Sequence, residues 1–192
     1  MNVFILCTGR SGSMTFIRAC QHITNYTAGH ETRSTLLGED RIAYPDQHIE
    51  ADNRLSWMLG KLGKKYGKDA FYVHLKRDVE ATAASFNRRW GRARSIIDAY
   101  TEGILMRPRE RGLEFCADYV DTVHQNVGYF LRDKPNRIQV DLEEAKTGFR
   151  RFWNAIGAEG DLEAALAEWD IRNNPSVSPS MVDRVRSFLR QI

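Results

Sequence analysis

The chain has 192 residues, 42% of them apolar and 28% charged, with a formal net charge of +3. That is globular usage, long enough for one packed core, and it excludes a disordered chain. No apolar run approaches the ~20 residues that span a bilayer. The N-terminal run is shorter than a signal peptide's hydrophobic region and lacks its basic lead, so a cytoplasmic protein without a membrane anchor is expected. Cys7, Cys20 and Cys116 are far apart, with neither a disulfide framework nor metal-ligand spacing, and read as reduced thiols.

Val3, Phe4, Ile5 and Leu6 open the chain as a strand buried on both faces. The small-residue loop Cys7-Thr-Gly9-Arg10-Ser11-Gly12-Ser13 follows, and Phe16, Ile17 and Cys20 then recur at helical spacing. Glycines let such a loop turn its N–H groups inward, and the helix adds the positive end of its dipole, which makes a site for phosphate or sulfate. The nucleoside-triphosphate form of this loop requires Gly-x-x-x-x-Gly-Lys-Ser/Thr. Here Cys7 stands at the first glycine and Ser13 at the lysine that reaches the β- and γ-phosphates. The basic residue, Arg10, precedes Gly12 instead.

Two extended segments follow, ending near His30 and Glu31 and then near Glu50 and Asp52. An amphipathic helix is predicted over 53–66, with Leu55, Met58, Leu59 and Leu62 on one side and Gly63 and Gly67 closing it. Phe71, Val73 and Leu75 alternate as a strand, and Val79, Ala83, Phe86 and Trp90 mark one face of a helix. Arg77 falls at the strand's C-terminal end, Asp78 is the expected N-cap, and Ser85 lies two turns along, facing the same crevice as Arg77. A guanidinium gripping a phosphate bidentately, with a hydroxyl beside it, is sound anion chemistry.

The segment 91–112 is the least regular. Arg88, Arg89, Arg92, Arg94, Arg107, Arg109 and Arg111 form either a solvated face or a path for an anionic ligand, and the lack of interleaved aromatics speaks against a nucleic-acid groove. A long helix is predicted over 113–131, a strand over 137–142, and helices over 146–156, 162–169 and 179–189. His22, His74 and His124 fall inside these patterns and read as structural. The alternation predicts an α/β fold with a parallel sheet, its ligand crevice outside the carboxyl ends of the strands.

Arg10-Ser11-Gly12-Ser13 resembles the 5′-phosphosulfate loop of the sulfotransferases that use 3′-phosphoadenosine 5′-phosphosulfate (PAPS), whose pattern is roughly Lys/Arg-Ser-Gly-Ser/Thr-Thr. Met14 departs from it by losing a hydroxyl while keeping its N–H, and Thr15 carries a hydroxyl one residue later. Arg77 and Ser85 match the arginine and serine with which that family holds the 3′-phosphate. The resemblance implies a small bacterial-type member, one domain over 1–192, with a three-layer α/β/α, P-loop-NTPase-like architecture around a mainly parallel sheet. It implies PAPS as donor, adenosine 3′,5′-bisphosphate (PAP) as product and no metal. The cofactor-binding residues would be Arg10, Ser11, Gly12, Ser13, Met14, Thr15, Arg77 and Ser85.

Sulfuryl transfer needs a base for the acceptor's proton, donors around the moving group, and stabilisation of charge on the departing phosphate. Arg10 and the loop amides suit the last two tasks. Glu31 matches the position of the glutamate used by small bacterial members and is the first choice of base, with His30 second. Glu50 and Asp52 are weaker candidates for orienting the acceptor. The family's late Arg-Lys-Gly segment is missing, and either Arg172-Asn173-Asn174 or Arg150-Arg151 would replace it. The acceptor is a hydroxyl or amine of a small molecule, carbohydrate or lipid, and oligomeric state is not encoded in any motif. Two other classes stay open. A P-loop kinase or nucleotide hydrolase using ATP and magnesium would need the absent lysine and an acidic metal ligand, and a non-catalytic nucleotide-binding protein would keep Arg10, Arg77 and Ser85 without requiring Glu31.

Overall fold

Four consecutive apolar residues need cover on both faces, and β1 (Val3–Leu6) has it, every side chain fully buried at the centre of a five-stranded sheet. The computed structural model describes residues 1–91, 95–108 and 111–171. Strands β2 (Thr27–His30), β3 (His48–Ala51), β4 (Phe71–Lys76) and β5 (Arg137–Asp141) join β1 in the order β2-β3-β1-β4-β5. Every pairing is parallel. Parallel neighbours cannot be joined by tight turns, so longer connections cross over between them. The connections hold α1 (Ser13–Cys20), α2 (Leu59–Tyr66), α3 (Val79–Asn87), α4 (Ile96–Asp98) and α5 (Leu113–Leu131), with only a 3₁₀ turn between β2 and β3, and α6 (Ala145–Ala155) and α7 (Leu162–Ala167) follow β5.

The period-two alternation of the strands separates two cores. Val3, Ile5, Val73 and Leu75 pack with Phe16 and Ile17 of α1, Phe149 and Phe152 of α6 and Leu166 of α7. Phe4, Leu6 and Tyr72 turn the other way onto Leu62 of α2, Ala83 and Phe86 of α3 and Tyr119, Val120 and Val123 of α5. The expected α/β class is met as an all-parallel sheet between two helical layers.

Three segments differ from the expectation. The helix predicted over 53–66 is broken: Asp52 accepts the Arg54 N–H at 2.8 Å and caps a 3₁₀ turn over Asn53–Trp57, and α2 begins only after Met58. Asp52 is held for this by the Arg41 guanidinium at 2.5 Å, in a pair that is almost completely buried. Within 91–112, the described residues 95–105 are more regular than the composition suggests. Ile97 and Tyr100 reach the core, and α4 continues into a π-helical turn over Ala99–Ile104. His22 lies in the turn after α1 and faces Glu168 at 3.3 Å. The helices predicted over 113–131, 146–156 and 162–169 form as α5, as α6 and as α7 with a closing 3₁₀ turn. The helix predicted over 179–189 lies outside the described residues.

His74 of β4 and His124 of α5 face each other between sheet and helix, Nε2 to Nδ1 at 3.0 Å. Burial first, then His124 and Lys76, push His74 down to about 3. Burial and Lys76 push His124 down to about 4 against the opposing pull of Asp121 and Asp141. Both imidazoles are therefore neutral at physiological pH, consistent with a structural role.

Candidate functional site

The loop over residues 7–12 leaves β1 with Gly9, Arg10 and Gly12 in the left-handed region, at φ 79°, 62° and 91°. Successive residues of this kind turn backbone N–H groups into an anion-binding concavity. The scaffold fixes the turn through the loop's carbonyls. Ser56 Oγ donates to Cys7 O at 3.1 Å, Asn53 Nδ2 and Tyr119 Oη donate to Thr8 O at 3.3 and 2.7 Å, and Arg77 Nη1 donates to Arg10 O at 3.1 Å. In a trans peptide the next N–H points opposite the carbonyl, so each tie aims the following amide away from its anchor. Gly12 is then the N-cap of α1, with no side-chain cap and no acidic residue in the first turn. The positive helix end is left for an anion.

The second half of the site comes from the neighbouring strand. β4 pairs with β1 in register through Leu6 and His74, so Arg77, one residue past β4, stands beside the loop. Asp78 caps α3 by accepting the Ala81 N–H at 2.7 Å, and Ser85, two turns on, is buried at the loop's edge. Arg10 Nε donates to Ser85 Oγ at 3.0 Å. One cleft of about 440 Å³ is lined by Arg10, Gly12, Ser13, Met14 and Thr15 together with Arg77 and Ser85. Ser11 does not line it: its hydroxyl is buried in the loop with no hydrogen-bond partner among the described residues. Cys7 lies in the same place, its thiol pushed up to about 11 by burial.

His30 and Glu31, at the end of β2, line the same cleft. His30 Nε2 is 3.2 Å from Ser13 Oγ, in direct contact with the loop. Glu31 takes a left-handed turn at φ 53°, and its Oε1 meets Arg54 Nη1 at 3.0 Å. Both partners are about one-third exposed, so this ion pair contributes at most ~1 kcal/mol. Arg10 and Glu31 are two of only four non-glycine residues with positive φ among the described residues. Strained backbone of this kind gathers at functional sites. Glu50 and Asp52 serve the scaffold instead. Glu50 is fully buried and accepts from the Thr32 N–H at 2.8 Å, the Thr32 hydroxyl at 2.7 Å and His48 at 3.0 Å, while Asp52 is held by Arg41.

The cleft also contains Asn53, Leu142 and Trp169, which no sequence motif placed at a site, and Arg88, one of the arginines read as either a solvated face or a path for an anionic ligand. Arg88 was within reach of helical spacing, three residues after Ser85 and hence on the same face. Leu142 and Trp169 carried no local signal, because they arrive from the far end of the sheet and from the turn after α7. Trp169 packs edge-on against Phe16, its Nε1 buried without a hydrogen-bond partner among the described residues. Arg107 lies over the Phe115 ring, Arg111 donates to Asn87, Arg150 pairs with Glu163 and Arg151 donates to Gln139 O. None of these four lines the cleft. Arg92, Arg94, Arg109 and residues 172–174 lie outside the described residues.

No family model and no curated protein sequence matches the chain. A solved structure does: the crystal structure of mouse sulfotransferase SULT7A1 complexed with PAP, at a TM-score of 0.56 and 10% identity. The fold is sulfotransferase-like. The match covers 88% of this chain and 64% of the mouse chain, so this chain spans less than two thirds of that protein's length. At that identity the likeness concerns the fold. Among the described residues no helix is long and apolar enough to cross a membrane, and no group of three or more His, Cys, Asp or Glu residues is placed to hold a metal ion.

Proposed function

We propose that the chain is a sulfotransferase domain that takes PAPS as sulfuryl donor and releases PAP. The observation that carries this reading is the single cleft in which the loop after β1 and the pair Arg77 and Ser85 are joined by the Arg10 side chain. Two anion grips side by side suit a ligand with phosphate groups at two positions. The buried, unpartnered Ser11 hydroxyl and the uncapped N-terminus of α1 suit a tetrahedral anion within the loop. The sulfotransferase-like fold supports the same reading.

In this assignment the amides of residues 9–15 and Arg10 hold the 5′-phosphosulfate, and Arg77, Ser85 and Arg88 hold the 3′-phosphate. Arg88 takes the place of the missing Arg-Lys-Gly segment. His30 is the base, because its Nε2 already touches the loop through Ser13, whereas Glu31, the first choice from sequence, shares its carboxylate with Arg54. Bound PAPS supplies an activated sulfuryl group. The acceptor's oxygen or nitrogen bonds to sulfur, and the bond from sulfur to the bridging phosphate oxygen breaks with its electron pair left on the phosphate. His30 Nε2 takes the acceptor's proton, while Arg10 and the loop amides offset the charge on the departing phosphate. The acceptor class is a small molecule, carbohydrate or lipid bearing a hydroxyl or amine.

Calorimetric titration with PAP, set against ATP plus magnesium, tests the reading. Binding of PAP in preference to ATP, followed by transfer of labelled sulfuryl from PAPS to an acceptor panel, is expected. Tight binding of ATP with none of PAP would overturn it in favour of a kinase or hydrolase.

A further inference from the structure

We propose that Tyr119, on α5, is a positioning residue of the anion loop: it fixes the Thr8 carbonyl so that the Gly9 N–H faces the bound anion. The inference rests on the anion-loop part of the proposed function and extends it to a residue 111 positions away in sequence. The Tyr119 phenol donates to Thr8 O at 2.7 Å, the shortest of the ties from the scaffold to the loop, and is completely buried. Asn53 reaches the same carbonyl at 3.3 Å. Three rings hold the phenol on its line: Trp57 stacks at 6.3 Å between centroids, and Phe86 and Tyr100 stand edge-on at 5.3 and 5.5 Å. They come from three different segments, so the tyrosine has no room to swing away.

The geometry of the peptide unit carries the consequence. With Thr8 O turned toward α5, the Gly9 N–H must point to the opposite side. On that side Gly9 lines the cleft together with Arg10, Gly12 and Ser13. The Gly9 amide thus stands with the loop that faces the anion. Gly9 is left-handed at φ 79°, a conformation that glycine adopts cheaply and leaves as cheaply, so the peptide needs an external hold. A phenylalanine would fill the same space and remove only that hold.

The test is Tyr119→Phe in the full chain, read by two measurements: the Gly9 amide resonance without ligand, and affinities for inorganic sulfate and for PAP. The expected result is a displaced Gly9 amide resonance and roughly 5- to 10-fold weaker binding of both anions, the worth of one hydrogen bond. Placing 4-aminophenylalanine at 119, which restores a donor, should recover the affinity. Val123→Ala, a buried change on the same helix, should lower thermal stability while moving neither readout. If Tyr119→Phe does not fold, Trp57→Phe loosens the stack that aims the phenol and is read in the same way. A Gly9 resonance and sulfate affinity that stay at wild-type values in the folded variant would overturn the inference, whatever PAP does. Sulfate binding that depends on Tyr119 in a protein indifferent to PAP would leave the inference standing and overturn the donor assignment.

Discussion

Arg10 and Ser85 meet at 3.0 Å, Nε to Oγ, so the loop after β1 and the helix after β4 touch through a charged donor. The same arginine offers its carbonyl to Arg77 at 3.1 Å. Arg10 is thus the joint between the loop and the pair Arg77 and Ser85.

Arg77→Ala should remove one charged grip and the anchor of the Arg10 carbonyl. Charge-assisted hydrogen bonds contribute ~1.5–3 kcal/mol, so calorimetry should show PAP affinity falling roughly 10- to 150-fold. Ser85→Ala should cost less, because only a neutral partner is lost. An Arg77→Ala protein that binds PAP at wild-type affinity would remove Arg77 from the site.

His30→Gln and Glu31→Gln separate the two possible bases. Loss of a general base lowers turnover by roughly 100-fold or more, and His30→Gln should show that loss with PAP affinity nearly unchanged. Glu31→Gln should act mainly on acceptor KM. The reverse pattern in steady-state kinetics would return the base role to Glu31.

Gly12→Ala places a methyl group 2.7 Å from Leu142 Cδ1 at a backbone φ of 91°. Left-handed strain of ~1–2 kcal/mol adds to the overlap, and the first turn of α1 must shift. Thermal denaturation should show a clear loss of stability, and PAP binding should fail with it. Gly60→Ala, in an exposed turn of α2 with nothing within 4 Å of the new carbon, should instead stabilise by ~0.5–1 kcal/mol.

His74 and His124 make the protein sensitive to acid. Their folded values, about 3 and about 4, lie below the ordinary histidine value of 6.5, so between these limits the unfolded chain binds protons that the folded one refuses. Their contribution is complete above about pH 6.5 and is lost as the pH falls, with a slope of up to ~1.4 kcal/mol per pH unit for each histidine. Replacing both, as in His74→Phe with His124→Leu, should flatten denaturant midpoints measured from pH 7 to pH 4. A wild-type profile already flat over that range would contradict the buried neutral pair.

Arg41→Met leaves Asp52 buried without its partner. Breaking such a pair on one side costs ~3–5 kcal/mol, and the cap on the turn over Asn53–Trp57 loosens with it. Changing both residues, Arg41→Met with Asp52→Leu, should recover part of the stability but not the placement of Asn53 and Arg54. Chemical denaturation, read beside PAP binding, separates the two effects.

The parts of the site legible in the sequence were those where one short segment carries both an element and its chemistry. Val3 to Leu6 followed by a Gly-rich turn, and Phe71 to Leu75 followed by Arg77 and Asp78, announce strand, turn and helix through local periodicity and capping. The break in the helix predicted over 53–66 was not legible, because Arg41 decides it from a different segment. Tyr119 carries no local mark within the helix predicted over 113–131, and only the assembled sheet brings its hydroxyl to Thr8. Glu50 looked available at a strand end until Thr32 and His48 occupied both its oxygens.

The tie between Tyr119 and Thr8 spans 111 residues, and that between Arg10 and Ser85 spans 75. Contacts of such long range form only after the intervening chain has closed on itself. During synthesis the loop is made before α3 and α5, and no stretch ending before α5 has the complete cradle. Nucleotide captured during synthesis would therefore report that β1, β4 and α5 have come together, which makes ligand retention a clock for the folding of this chain.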